Sequence, residues 1–492
     1  MSKKLELYII DEINAKLEGL PNKDRDRVVQ KMKLPIPGAY MMASVQIGEH
    51  DGKQPMFTES GFFDVYQLDD VFEILEDIGY DVEGDIDVHD FREELLHPID
   101  PENQMSVHKD MFSDYGIELW EHQVSAFNSI LANDKGLLDF STSSGKTIVS
   151  SGISKIYDQY YPSLFLTLNT KLAKDAAKMY EKMGLDYKII DASIPVKKRK
   201  EAIDNHRHLI MTRKLAINCG EHLDSFNGVL IGDEIHYCGE AFVEFVRNRL
   251  GDCPIRVGMS GSLPEKGRDP LKLQTIKNII GNGVCDEVTP GYLIEKGHAA
   301  YLDIRMIEIE DHNGLRKQQE AGAMWDWDME FAHYNNDEDR IREIAKFIDR
   351  NCPRNTFIIC SAVLGYKLAK ELGCDFIDGT VDDDVRQQYY DKFDEMDDYR
   401  LVGSDGTSGV GLSIDMIHYG VVIDIGSNPS RCGQVIGRYS RKDNEGDKKD
   451  SAIVWDIYSN TKYGAKQMKE RCTYYRKRGY DFTKNYDTIK VI

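Results

Sequence analysis

The stretch LLDFSTSSGKTIVSSG, Leu137 to Gly152, decides how this chain is read. A short apolar run ends in Ser-Gly-Lys-Thr and passes into a helix-like pattern. The phosphate-loop pattern G-x-x-x-x-G-K-[ST] lacks its leading glycine here, because Phe140 stands in that place. Taken alone, the tripeptide also fits an ordinary strand–turn–helix with Gly145 in the turn. The rest of the chain has to decide between the two.

Around the stretch, short apolar runs alternate with helix-like segments. GLLDF, LFLTL, HLIMT, GVLIGDE and IRVGMSGS form one series, and TFIICSA, CDFIDG, RLVGSDG, GVVIDIG and SAIVWDI form a second. Buried runs separated by amphipathic helices are the pattern of parallel sheets, so two tandem α/β domains are expected. The loop then sits between a strand and a helix, where a phosphate loop must sit. Ser143, Ser144 and Gly145 would present backbone N–H groups to ATP phosphates. Lys146 would reach the β- and γ-phosphates, and the Thr147 hydroxyl would be a Mg²⁺ ligand.

GVLIGDEIHY supplies the next element. Asp233 ends an apolar run, where α/β proteins bind ligands, and can hold Mg²⁺ through water. Glu234 can polarise an attacking water. The competing reading is a surface Asp-Glu pair in an acidic protein. RCGQVIGRYSRK places Gln434, Gly437, Arg438 and Arg441 in a Q-x-x-G-R-x-x-R pattern. If the segment is helical, the two arginines share a face. Paired guanidiniums suit charge developing on a transferring phosphoryl group; a surface basic helix is the alternative.

The bulk numbers agree with a large intracellular protein. At 492 residues the chain is long enough for about three domains. It is 41% hydrophobic and 30% charged, and no segment approaches the roughly 20 apolar residues of a membrane span. MSKKLELYIIDEIN has too short an apolar run for a signal peptide. Nine scattered cysteines without a C-x-x-C pair point to reduced thiols and a cytoplasmic setting. The net charge of −22 argues against a protein that simply coats nucleic acid, yet residues 462–490 carry nine basic residues against three acids. About 14 of the excess negative charges precede residue 111. There, Leu68, Val71, Phe72, Leu75 and Ile78 have helical spacing with acids between them. HPIDPENQ, His97 to Gln104, reads as a linker, and the segment near Gly314–Arg340 as a helical insert between the two α/β series.

These motifs as a set resemble those of superfamily-two helicases, over nearly everything from 115 to 460. In that family the first glycine of the loop is often replaced. LWEHQVSAF resembles the motif before the loop, with Gln123 as adenine reader, and DEIH resembles motif II. GMSGSL resembles motif III, with Ser260 and Ser262, together with His236, coupling ATP state to the domain interface. GSDGTSGVGLSI resembles motif V, with Gly411 at the nucleotide, and QVIGRYSR resembles motif VI. The resemblance implies that Gln434, Arg438 and Arg441 act on the nucleotide from the second domain. Asp405 departs from the family pattern.

The resemblance also implies grips on a nucleic-acid backbone at Thr170 and Lys171 after LFLTL, beside Asn169, and at Thr212 and Arg213 after HLIM. PVKKRKEAIDNHRH is a further basic stretch that reads equally as a solvated helix start. In the tail, cations interleaved with Tyr463, Tyr474, Tyr475 and Tyr480 suit base stacking, or else a helix packed by its tyrosines.

The expected architecture is α/β, with two tandem RecA-like parallel-sheet domains. A small acidic α+β domain covers 1–110, the ATP-binding domain 111–300, and the arginine-bearing domain 301–460. A short basic, tyrosine-rich helical extension covers 461–492. The expected activity is an ATP- and Mg²⁺-dependent DNA helicase, monomeric, acting on branched DNA and RNA–DNA hybrids, in phage recombination, repair and replication. A protein partner at the acidic domain is a further expectation. An ATP-dependent RNA helicase, or a non-unwinding ATP-gated DNA translocase or clamp, is the alternative.

Overall fold

The computed structural model describes residues 4–96, 106–264, 266–281, 287–310, 315–322, 326–406, 414, 416–442 and 449–491. The linker read at His97–Gln104 and the motif V glycine Gly411 lie outside these residues. Two compact units form: 1–140 with 145–287, and 288–492 with loop residues 141–144.

The chain begins with β1 (Leu5–Ile9) and β2 (Asn14–Glu18), followed by a short hairpin of β3 (Lys33–Pro35) and β4 (Lys53–Pro55). With β5 (Phe62–Asp64) and β6 (Ile86–Asp90), the first two build a four-stranded sheet of order β5-β2-β1-β6. Alternation buries Leu5, Leu7 and Ile9 on one face, against Val71 and Leu75 of the acidic helix Leu68–Asp77. The small mixed sheet with its acidic helix is the α+β domain the pattern predicts.

In the same unit, β7 (Lys135–Asp139), β8 (Ser163–Thr167), β9 (Tyr187–Ile190), β10 (His208–Thr212), β11 (Val229–Gly232) and β12 (Ile255–Ser260) follow. They form one sheet of order β7-β12-β11-β8-β10-β9, parallel at every pairing. Every residue of β8, β11 and β12 is buried, as helices on both faces require.

The second unit pairs β13 (Tyr301–Ile309), β14 (Thr356–Cys360), β15 (Asp375–Ile377), β16 (Arg400–Ser404), β17 (Tyr419–Ile423), β18 (Ser451–Ser459) and β19 (Asp481–Ile489). Their order is β15-β16-β14-β17-β18-β13-β19, again all parallel. The tail thus completes the sheet: the helix Lys462–Lys477 lies against β18 and β19, and β19 forms an edge strand beside β13. Tyr474, Tyr475 and Tyr480 are buried in this core, which removes them as stacking platforms for bases. Among the described residues no helix is long and apolar enough to cross a membrane.

Part of the N-terminal acid serves the first unit itself. Glu12, in the β1–β2 turn, accepts a bond from Lys135 Nζ at 2.8 Å, and its carbonyl accepts one from the buried Arg256. Asp64 accepts from Asn278 and pairs with Arg247. Burial pushes its carboxyl up, and Arg247 and Asn278 oppose that shift. These contacts fasten the small sheet beneath the strands whose far ends carry the loops described next.

Candidate nucleotide and nucleic-acid site

The phosphate-loop residues follow β7 directly. The Phe140 N–H donates to Ser260 O at 2.8 Å, tying the loop entrance to β12. Ser143 and Gly145 adopt positive φ, 68° and 78°, and the helix Lys146–Tyr157 starts at once. A Cβ on Gly145 would stand 2.1 Å from Gln123 Nε2, so the turn and that wall together demand glycine. The buried Ser144 hydroxyl donates to Ser141 O at 2.8 Å, and Lys146 Nζ to Phe140 O at 2.8 Å. Thr147 is the second residue of the helix, half-buried. A tight loop, a helix N-terminus and a lysine within reach are what a triphosphate needs.

Gln123 is buried, and its Oε1 accepts the Trp120 N–H at 2.9 Å as part of a capping box. Its amide thus also walls the phosphate loop, next to the adenine-reading role the resemblance implies.

At the end of β11, the Asp233 N–H donates to Leu166 O at 2.9 Å. Glu234 has φ 49° and donates its N–H to Asp233 Oδ1 at 3.0 Å. Burial raises both carboxyls, and Lys146 is the largest opposing influence on each. Among the described residues Glu234 Oε2 has no hydrogen-bond partner, so it is an acceptor able to take a water. His236 Nδ1 lies 2.7 Å from Ser260 Oγ and 3.3 Å from Glu234 Oε2. Ser260 Oγ also accepts the Ser262 N–H at 2.9 Å. The structure thereby brings His236, Ser260 and Ser262 together on neighbouring strand ends.

Burial, helped by Lys272, Arg213 and Lys146, pushes His236 down to about 3, so it is neutral at physiological pH. An unfolded histidine titrates near 6.5, so as pH falls the unfolded chain takes up this proton first. The contribution of His236 to stability is constant above pH 6.5 and is expected to fall between 6.5 and about 3, by about 1.4 kcal/mol per pH unit. His236→Gln is expected to retain about 2 kcal/mol more of its stability than the wild type on going from pH 6.5 to 5. Urea titrations at the two pH values measure this, and parallel losses in both proteins would reject it.

Arg213 requires a correction. Read as a backbone grip on nucleic acid, it is only 6% exposed. Its guanidinium donates to the Asp233 carbonyl and stacks on Phe242 at 4.7 Å. The helix it begins, Arg213–Asn218, turns the side chain back toward β11, and only the tertiary strand order reveals that direction. Thr212 caps this helix, its Oγ1 accepting the Leu215 N–H at 3.4 Å. Thr170 is exposed at the start of the helix Thr170–Lys182, which Asn169 caps, and Lys171 is half-buried beside it. Both helix starts follow neighbouring strands, β8 and β10. Thr167 is a site residue that the sequence did not single out: its hydroxyl lies 3.5 Å from Asp233 Oδ2. That proximity follows from the pairing of β8 with β11, which no local pattern encodes.

In the second unit, Gln434 and Arg438 lie on the helix Pro429–Tyr439, Gln434 half-buried and Arg438 buried. The helix closes at Ser440, so Arg441 stands beyond its end and does not share a helical face with Arg438. Burial, with Arg441 nearby, lowers the Arg438 guanidinium. Asp405 is paired with Arg431 of the same helix.

Residues 116–265 match the family described as "Type III restriction enzyme, res subunit". The ATP-dependent DNA helicase UvsW of Enterobacteria phage T4 is 21% identical over 358 residues, 69% of this chain and 68% of its own. The crystal structure of T4 UvsW aligns over 99% of this chain and 100% of its own at 15% identity, with a TM-score of 0.45. The Type ISP restriction-modification enzyme LlaBIII bound to DNA aligns over 82% of this chain and 33% of its own, at 14% identity and a TM-score of 0.55. That last likeness concerns the fold.

Proposed function

We propose, from the premise that this chain is a superfamily-two helicase, that it is an ATP-driven motor on branched or partly single-stranded DNA. The observation that carries the reading is the row of loops along one edge of the first sheet. The phosphate loop, the Asp233–Glu234 pair and Thr170 follow β7, β11 and β8, Ser260 and Thr212 end β12 and β10, and the five strands lie side by side in the order β7-β12-β11-β8-β10. This supports a reading in which nucleotide-binding and backbone-gripping groups line the same strand ends, with the His236–Ser260 bond joining the ends of β11 and β12.

In this reading Lys146 and the loop N–H groups bind the β- and γ-phosphates. Thr147 and Asp233 would hold Mg²⁺, and Gln123 would read the adenine. Bound Mg²⁺ supplies charge neutralisation on the phosphate oxygens. Glu234 orients a water and accepts its proton as the water oxygen bonds to the γ-phosphorus and the γ-phosphorus–oxygen bond to ADP breaks. Arg438 and Arg441 stabilise the charge on the transferring group, with Gln434 beside them. Arg213 holds the motif II turn by its backbone carbonyl. Arg213→Ala is therefore expected to lower ATP turnover about 10–100-fold, with DNA affinity within twofold of the wild type. Lost affinity with normal turnover would return Arg213 to the nucleic-acid track.

DNA is favoured because the T4 relative is a DNA helicase by name and the LlaBIII structure holds DNA. The test is ATP-dependent processing of a labelled four-way junction beside a tailed DNA duplex and a tailed RNA duplex, with Lys146→Ala as control. Preferential junction processing supports the branched-DNA reading. Equal or better action on RNA replaces it with an RNA helicase, and hydrolysis without strand separation replaces it with a translocase or clamp.

A further inference from the structure

In this acidic chain the C-terminal helix Lys462–Lys477 presents a row of cations on its outer face. Lys462, Lys466, Lys469, Arg476 and Lys477 are all exposed, with the exposed Thr473 in the gap. At about 100° per residue these six positions fall within an arc of about 100°, and they span about 22 Å along the axis. The helix contains a single acid, Glu470, which is half-buried and takes the Ser427 hydroxyl bond. Among the described residues Lys466 and Lys469 make no ion pair or side-chain hydrogen bond.

The opposite face is clamped. Gly464, Met468, Arg471, Cys472, Tyr474 and Tyr475 are buried. Arg471 forks onto Asp456 of β18 at 2.7 and 3.0 Å and also donates to Gly426 O at 2.9 Å. At the first turn the buried Glu330 carboxylate accepts the Tyr463 and Gly464 N–H groups at 3.2 and 3.1 Å. The cations therefore ride on a fixed rod, and only their side chains, not the backbone, are left to be ordered when a ligand arrives.

The same packing decides what the rod can hold. A single-strand surface interleaves cations with open aromatic faces for base stacking. Here Tyr474, Tyr475 and Tyr480 are turned into the core, and Tyr463 is half-buried against Trp327 at 6.1 Å. Charge without stacking platforms fits a partner whose bases are already paired.

We propose that the outer face of the helix Lys462–Lys477 is a docking rail for the phosphate backbone of duplex DNA, separate from the loops that grip the translocated strand. This rests on the reading of the chain as a nucleic-acid motor. It commits to phosphate contacts without sequence preference, which position and do not specify.

The test is the salt dependence of binding to a blunt duplex and to a single strand of equal length, without ATP. The full chain is compared with a variant carrying Lys462→Gln, Lys466→Gln, Lys469→Gln, Arg476→Gln and Lys477→Gln. Each lost phosphate contact removes about 0.9 from the slope of log K against log salt on a duplex. The variant slope is expected to be shallower by up to about 4.5. Between 50 and 200 mM salt the wild type then loses up to about 500-fold more duplex affinity than the variant. Single-strand affinity is expected to stay within twofold. Thr473→Lys, which fills the gap, is expected to steepen the duplex slope by about 1 and guards against a misfolded quintuple variant.

Unchanged duplex slopes in both variants overturn the rail. Equal losses on duplex and single strand also overturn it, and make the helix part of the strand track. Self-association of the wild type at low salt that the five substitutions abolish, with duplex binding intact, assigns the rail to an acidic protein surface instead. Absence of nucleic-acid stimulation of wild-type ATPase defeats the motor reading itself, a result that the slope comparison does not give.

Discussion

Arg438→Ala will lower ATP turnover by about 10³–10⁵-fold while nucleotide affinity stays within a few-fold. The size follows from where the charge sits. Arg438 is buried on the helix Pro429–Tyr439, and burial with a second guanidinium nearby works against its charged state. An anion that develops negative charge in the transition state relieves that cost when it matters, which is how a preorganised cation lowers a barrier. In the proposed mechanism nucleotide binding relies instead on the loop before Lys146, on Lys146 and on Thr147, so affinity is expected to survive the substitution. Arg438→Lys separates charge from shape: lysine keeps the charge and loses the planar fork, and recovers only a small part of the rate. Single-turnover hydrolysis, beside titration with a fluorescent nucleotide, measures both quantities. Wild-type turnover in Arg438→Ala and in Arg441→Ala would remove both arginines from the mechanism.

The second large effect is on stability. Asp456→Asn is expected to cost about 3–5 kcal/mol, because it leaves a buried guanidinium without its counter-charge. Asp456 is 0% and Arg471 1% exposed in side chain, with two hydrogen bonds between them. Tyr475 donates to the same carboxylate at 2.8 Å. For a unit of about 200 residues this corresponds to a fall of roughly 6–20 °C in the melting transition. Replacing both partners by apolar residues, Asp456→Leu with Arg471→Met, is expected to recover most of the loss, since no buried charge is then stranded. Calorimetry of the full chain reads both variants. A loss below about 1 kcal/mol in Asp456→Asn would mean that the pair does not hold the C-terminal helix to β18.

Some elements could be read along the chain because their signal is local. HLIMT is β10 residue for residue, and the other apolar runs of both series coincide with strands to within a few residues. With Phe140 in place of a leading glycine, positive φ at Ser143 and Gly145, followed at once by a helix, still makes the strand–turn–helix that the local pattern indicated. Asp233, Glu234, His236 and Ser260 stand at strand ends, as the runs before them indicated.

Other features had no local signal. β19 carries almost no apolar pattern, only Phe482 and Ile489 being covered, and it becomes a strand by completing the edge beside β13. The tail's interleaved cations and tyrosines read equally as an open stacking surface or a packed helix. Which of the two occurs depends on whether a neighbouring core receives the rings, and the core around Met306 and Cys432 does. Arg438 and Arg441 are three residues apart, but Ser440 ends the helix between them.

Composition, periodicity and motif order by themselves determined that this chain holds two parallel α/β sheets, a Ser-Gly-Lys-Thr loop between a strand and a helix, an acidic pair at a strand end and two arginines. Each of those is written in residues within a few positions of one another. Tertiary structure alone decided which way side chains of ambiguous type face. It turned Arg213 toward Asp233, set Thr167 beside the same carboxylate, and put the tail's tyrosines inward and its lysines outward. The physical reason is that strand order and helix docking are set by long-range burial, and burial decides whether a polar residue meets solvent or a partner.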